Sequence, residues 1–368
     1  MVSWGTGTRG DPTNWGCMRR EQEPTARPAS APKGRWGEYT QLSRQVKQAG
    51  LLERRHGWYA GKIGLNLALL AAGWVAFAVI GESWWQLVTA AYLAVVFTQV
   101  AFVGHDAGHR QIFRSRRAND LVGLAHANLG VGVSFDWWVG KHNRHHSNPN
   151  HEDLDPDISI TALAFTDDQA SSKHGLVRLI ARYQGWLFFP LLLLEAAHLH
   201  LASIKATVRG GSGRANAVEA LLLVAHLVGY LTALWLVLSP WQALAFIVVQ
   251  QGLFGLYLGC SFAPNHKGMP TLTAADALDF LRRQVLTSRN VAGSRLVDWL
   301  LGGLNYQIEH HLFPNMPRPN LRRAQPLVRA FCVQHGLNYT EASLVGSYAQ
   351  AVRHLHTVGT PLRPAVAE

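Results

Sequence analysis

Cysteine is almost absent from this chain of 368 residues, with Cys17, Cys260 and Cys332 as the whole supply. An odd, scattered set without a CxxC pair argues against a thiolate zinc site or a redox dithiol, and suits a reducing, cytosol-facing setting. Charge is scarce as well, at 15% of residues against about 25% in an ordinary soluble chain. No zinc-finger spacing and no RNA-binding aromatic motif occurs, so nucleic acid is not indicated. There is no dinucleotide fingerprint and no His-Pro-Gly-Gly haem motif. No apolar stretch lies near the first residues, so no secretory leader is expected.

Apolar residues are plentiful, at 48%, and they fall in blocks. Tyr59 to Ile80, Trp84 to Val103, Ala217 to Leu238 and Trp241 to Phe262 each supply roughly the 20 residues needed to cross a bilayer. Gly81-Glu82-Ser83 joins the first two and Ser239-Pro240 the last two, both without Lys or Arg. The formal net charge of +11 resides in the flanking segments. By the positive-inside rule both termini and the long middle segment then face the cytosol. Trp84, Trp85 and Trp241 sit at the outer ends, where interfacial aromatics belong.

The expectation is an all-α integral membrane protein with four transmembrane helices in two hairpins, plus interfacial helices and a cytosolic helical cap. Gly185 to Ile204 is apolar enough to span, yet holds Glu195, His198 and His200. A crossing there would put the last ligand cluster on the opposite face, so it is expected to lie in the interface or dip without crossing. Leu121 to Val133 is expected to do likewise; the alternative is that both cross, which restores parity. A disordered tail is expected over 1–36 and a short C-terminal tail over 357–368, with the working domain over 37–356 between them. Gly37 to Arg55, Leu321 to Gly336 and Tyr339 to His356 read as amphipathic helices.

Histidine is the residue the chain spends most conspicuously. Three clusters stand just outside apolar stretches: His105-Asp-Ala-Gly-His109, His142-Asn-Arg-His145-His146 and Gln307-Ile-Glu-His310-His311. Residues three or four apart share a helix face, so each cluster points its rings together, and the topology puts all three on one side. A structural zinc site closes with four ligands and would leave half the set unused. Eight candidates fit two metals. Beside a bilayer this suggests oxygen chemistry on an acyl chain, which calls for iron because zinc cannot make an oxidant able to attack an unactivated C–H bond.

These boxes, followed by Leu312-Phe313-Pro314, resemble the membrane-bound fatty acid desaturases. More narrowly they resemble bacterial acyl-CoA or acyl-lipid desaturases related to the front-end group, whose third box begins with Gln. The likeness runs from about Gly37 to about His356. It implies a non-haem di-iron centre, O2 as co-substrate, a cis double bond inserted into an acyl-CoA or acyl-lipid, and four spans under a cytosolic cap. It implies His105, His109, His142, His145, His146, His310 and His311 as ligands. Gln307 takes the place of a histidine found in the stearoyl-CoA type, which leaves its direct ligation open. His266, in Asn265-His266 after the fourth apolar run, is the candidate for a ligand outside the boxes. With no carrier module in view, a separate ferredoxin- or flavin-type donor docking on the basic face is expected.

Metal-bound histidines usually donate their second N–H to a carboxylate or carbonyl, a role expected of Asp106 and Asp153. His126 and His151 flank the boxes and read either as such partners or as surface histidines. His226, mid-span, reads as a packed, hydrogen-bonded residue. Trp137 and Trp138 read as tunnel walls or interface anchors. A hydroxylase on the same scaffold is the nearest enzyme alternative. A metal transporter is the alternative of another class, but it needs polar residues along the spans, which here are few.

Overall fold

The computed structural model describes residues 35–210 and 213–363; nearly all of the tail expected over 1–36 lies outside them. After α1 (Arg35–Gln48) come α2 (His56–Ile80) and α3 (Gln86–Gly108), then α4 (Arg116–Gly123), a π-helix (Leu124–Gly130) and α5 (Phe135–Ser147). The middle segment holds α6 (Asp167–Ser171), α7 (Gly175–Arg182), α8 (Gln184–Leu192) and α9 (Glu195–Arg209). Two long helices follow, α10 (Arg214–Val237) and α11 (Pro240–His266). The rest is α12 (Phe280–Leu286), α13 (Arg295–Leu300), α14 (Gln307–Leu312), α15 (Arg318–Gln334) and α16 (Leu344–Gly359).

Four of these helices, α2, α3, α10 and α11, are long and apolar enough to cross a membrane. In hydrocarbon every backbone N–H and C=O must be satisfied within its own segment, which makes such runs helical. Gly81, at φ 65°, stops α2 with its N–H on Phe77 O, a left-handed turn that favours glycine. Pro240 opens α11 behind Ser239, whose N–H donates to Gln242 Oε1, the reciprocal half of a capping box.

The four are not equivalent. The apolar windows of α3 and α11 are 67% and 39% buried within the protein, those of α2 and α10 only 17% and 11%. The inner pair pack on each other through Phe97 and Phe254, ring centroids 5.9 Å apart. Gly255 and Gly259 of α11 let α8 and α9 come close, since a Cβ at either would lie 2.7 Å from Ala196 N or 2.5 Å from Leu192. The outer helices show Leu67, Val75, Leu221 and Leu236 to the surroundings, a face suited to lipid.

Both inner helices run further than their apolar runs predict. α3 continues through His105 to Gly108 and α11 ends on His266 itself, so neither histidine follows its helix. Hydropathy marks where lipid contact stops, while the helix continues wherever its polar residues are buried against protein. α8 and α9 together reach span length but meet at a 68° bend. The stretch 121–133 becomes the end of α4 and the π-helix, packed against α3 and α10.

A second core lies beyond the site end of the long helices. Leu42 and Val46 of α1 meet Val285 of α12, Leu312 of α14, and Val328 and Phe331 of α15, the apolar stripe expected of amphipathic helices. One feature had no expectation: β1 (Asn290–Ala292) pairs in parallel with β2 (Glu341–Ser343), two strands too short for a period to register. β2 takes the first residues of the stretch read as a helix from Tyr339.

Candidate metal centre

The structure brings all eight histidines singled out in the sequence into one buried site. α3 delivers His105, and His109 caps its end; α5 delivers His142, His145 and His146; α14 delivers His310 and His311; α11 delivers His266. They sort into two groups. One donor atom from each of His105, His109, His142 and His310 gathers within 4.8 Å of the others, as does one from each of His145, His266 and His311. His146 stands between, its ring centroid 4.5 Å from that of His109 and stacked 4.1 Å from that of His311.

The donor set fits metal ions. In the second group Nε2 of His266 lies 3.3 Å from that of His145 and 3.0 Å from that of His311. Nitrogens held about 2.1 Å from a shared ion sit roughly 3.0–3.4 Å apart. In the first, Nε2 of His105 and His109 and both nitrogens of His310 are buried without a partner, as is Nδ1 of His146 between the groups. A buried polar atom left so costs about 1–3 kcal/mol, a cost that a coordinated cation removes. Burial, seconded by the neighbouring imidazoles, holds His109, His142, His146, His310 and His311 well below the ordinary histidine pKa, so they stand neutral with lone pairs available.

The far nitrogens of the second group are all held. Nδ1 of His145 lies 3.0 Å from both oxygens of Asp155, Nδ1 of His266 is 2.9 Å from Thr287 O, and Nδ1 of His311 is 2.8 Å from Gln284 Oε1. Burial lowers the pKa of His145, but Asp155 and Asp157 more than offset it and the net shift is upward. Gln284 also donates to His146 O, tying α12 to α5. Only His105 in the first group has a carboxylate, Asp106 Oδ1 at 3.4 Å. That Asp106 is shared with Arg318, 2.6 Å from its other oxygen. Trp138 stacks on His142 with centroids 4.4 Å apart and meets His105 edge-on at 5.5 Å, so it walls the site rather than anchoring at an interface.

Gln307 Nε2 lies 2.8 Å from His266 Nε2, and its Oε1 accepts from Asn265 Nδ2 at 3.3 Å. It therefore reaches the second group through its amide. Asp153 is a correction: it is exposed and bonds none of the eight histidines, its N–H donating to His151 Nδ1. The place it was expected to fill belongs to Asp155, fully buried and two residues on. His126 bonds Val122 O and His226 bonds Leu129 O; neither reaches the groups.

Sequence reasoning missed Gln284, Asn290 and Arg289. Asn290 donates to Glu309 and accepts from Ile308 N–H. Glu309 is fully buried, also accepts from Tyr339, and burial pushes its carboxyl up to about 7, so it anchors α14 instead of ligating. Arg289, fully buried, donates to Pro264 O and Lys267 O, capping the carbonyls at the end of α11 that presents His266.

The profile of the family described as "Fatty acid desaturase" matches residues 82–343. The chain is 30% identical over 318 residues to an acyl-lipid (9-3)-desaturase of Physcomitrium patens, an alignment covering 82% of this chain and 58% of that protein. It is 28% identical to a delta(8)-fatty-acid desaturase of Helianthus annuus, over 89% of this chain and 74% of that one. A delta(6)-fatty-acid desaturase of Caenorhabditis elegans is also 28% identical, over 89% and 76%. The matched region thus spans under two thirds of the Physcomitrium patens protein and about three quarters of the other two. With buried histidine groups at the ends of long apolar helices and this match across most of its length, the chain belongs to the fatty acid desaturase family.

Proposed function

We propose that this protein uses O2 to insert a cis double bond into a fatty acyl chain, carried as an acyl-lipid or acyl-CoA, at a centre of two iron ions. The observation that carries the reading is the pairing of two histidine groups side by side at one end of the apolar helices. His105, His109, His142, His146 and His310 would hold one ion, and His145, His266 and His311 the other, with Gln307 beside the latter. Iron bound there supplies the oxidising power that an unactivated C–H bond requires.

The residues do the positioning. Asp155, Gln284 and the Thr287 carbonyl fix ring orientation in the second group. Trp138 shields the first from one side. The acyl chain enters along the apolar helices with its head group at the cap, and chain placement, not polar recognition, selects the bond. The four long helices form two hairpins, α2 with α3 and α10 with α11, with the cap and both termini in the cytosol. Electrons come from a separate ferredoxin- or flavin-type carrier. Arg110, Arg114, Arg117 and Arg144 are exposed near the histidine-bearing ends, which suits an acidic donor.

Expression in a host followed by fatty-acid profiling tests the proposal. New double bonds are expected; hydroxylated products without them contradict it. Turnover by the purified protein with NAD(P)H and no added carrier contradicts the electron route.

A further inference from the structure

Two carboxylates face one nitrogen in the second group. Both oxygens of Asp155 lie 3.0 Å from His145 Nδ1, and Asp157 Oδ2 lies 3.6 Å from the same atom. Asp155 also accepts from two backbone donors, Asn150 N–H at 2.7 Å and Asp157 N–H at 2.8 Å. The latter closes the tight turn an aspartate side chain makes with the N–H two residues on. One imidazole N–H cannot satisfy both carboxylates. Asp157 is therefore a second negative charge beside a ring whose hydrogen bond already goes to Asp155.

Lys141 answers that charge. It stands four residues before His145 on α5, so the two side chains share a helix face. Asp157 bridges them, its Oδ1 taking Lys141 Nζ while Oδ2 faces the imidazole. Lys267, at the end of α11, reaches the backbone of the same residue, its Nζ 2.8 Å from Asp157 O, and so ties down the loop. The first group has a counterpart in Asp106, which faces His105 and pairs with Arg318. There both side chains are sealed, and removing Arg318 would strand a buried charge. Lys141 and Asp157 are 25% and 32% exposed, so either can be exchanged without opening the core.

We propose that Lys141 is a positioning residue for the ion of the second group: by balancing Asp157, it sets how much negative charge reaches that ion through His145, and so how readily the ion is reduced. The inference rests on the two-iron reading above and adds to it the residue that tunes reducibility. An unbalanced carboxylate favours the ferric over the ferrous state. A unit charge about 10 Å away, at an effective dielectric of about 20, changes such an equilibrium about tenfold.

The test is a redox titration of the iron-loaded, full-length protein in detergent, with ferrous and ferric fractions read by Mössbauer spectroscopy. At a fixed potential within the transition, Lys141→Met should lower the ferrous-to-ferric ratio about three- to tenfold. Asp157→Asn should raise it by a similar factor, a tenfold change being about 59 mV for one electron. Lys141→Arg keeps the charge and should stay near the unaltered ratio, and the double variant Lys141→Met with Asp157→Asn should return to it. A pair that merely braces the loop would loosen it in either single variant, moving both ratios the same way or neither. Either of those results overturns the proposal. Iron content is measured on the same samples. Two irons with unmoved ratios contradict this inference alone, whereas protein that takes up no iron contradicts the two-iron reading and this inference with it.

Discussion

The two histidine groups use the same side chain at the same depth, yet they are built differently. Every ring of the second group is gripped at its far nitrogen, by Asp155, Thr287 O or Gln284. The first group has the 3.4 Å contact of Asp106 with His105, the stacking of Trp138 on His142, and several buried nitrogens with no partner at all. Groups held by such outer partners have their tautomer and orientation fixed before a metal arrives. The second group is therefore held in place by the protein, while a metal ion in the first would meet rings with fewer such partners. On the proposed two-iron reading, the second group would bind its ion more tightly and the first would leave its rings freer to adjust.

The largest way to break the comparison is to remove a ligand. His145→Ala should lower desaturation at least about 100-fold while the protein still folds in membranes, measured by product analysis and membrane recovery. Retained product sinks the assignment. Next comes the grip without the ligand. Asp155→Asn should weaken metal binding in the second group by about 10–100-fold, measured by iron content across a chelator series, and leave the first group's affinity less changed. Gln284→Leu frees Nδ1 of His311 and should cost about tenfold in the same assay. The smallest effect is expected from Trp138→Leu. It removes a stacked ring worth about 0.5–1.5 kcal/mol and should alter only the first group's occupancy, by about two- to tenfold. Equal losses at both groups in these variants erase the asymmetry.

The histidine boxes were legible because helix spacing is local. His105 with His109, and His142 with His145 and His146, share faces whatever the rest of the chain does. His266 was named by resemblance, since nothing local marks the last residue of an apolar helix as a ligand. The gripping residues were not legible. Gln284 reaches across 27 residues to His311 and 138 to His146, and no periodicity carries that information. Asp153 and Asp155 differ in sequence only by register within a loop, and only tertiary packing decides which one turns inward. The long helices were found from hydropathy, but the ends of α3 and α11 were not, because their last turns are buried against protein and so need no apolar residues. The pairing of Asn290–Ala292 with Glu341–Ser343 escaped for the same reason as Gln284.

The most direct test of the two-group account is a crystal of iron-loaded protein with anomalous differences collected at the iron edge, before and after brief chelation. The account predicts two peaks, one among His105, His109, His142, His146 and His310 and one among His145, His266 and His311, with only the second surviving chelation. A single peak, or survival of the first peak alone, contradicts it.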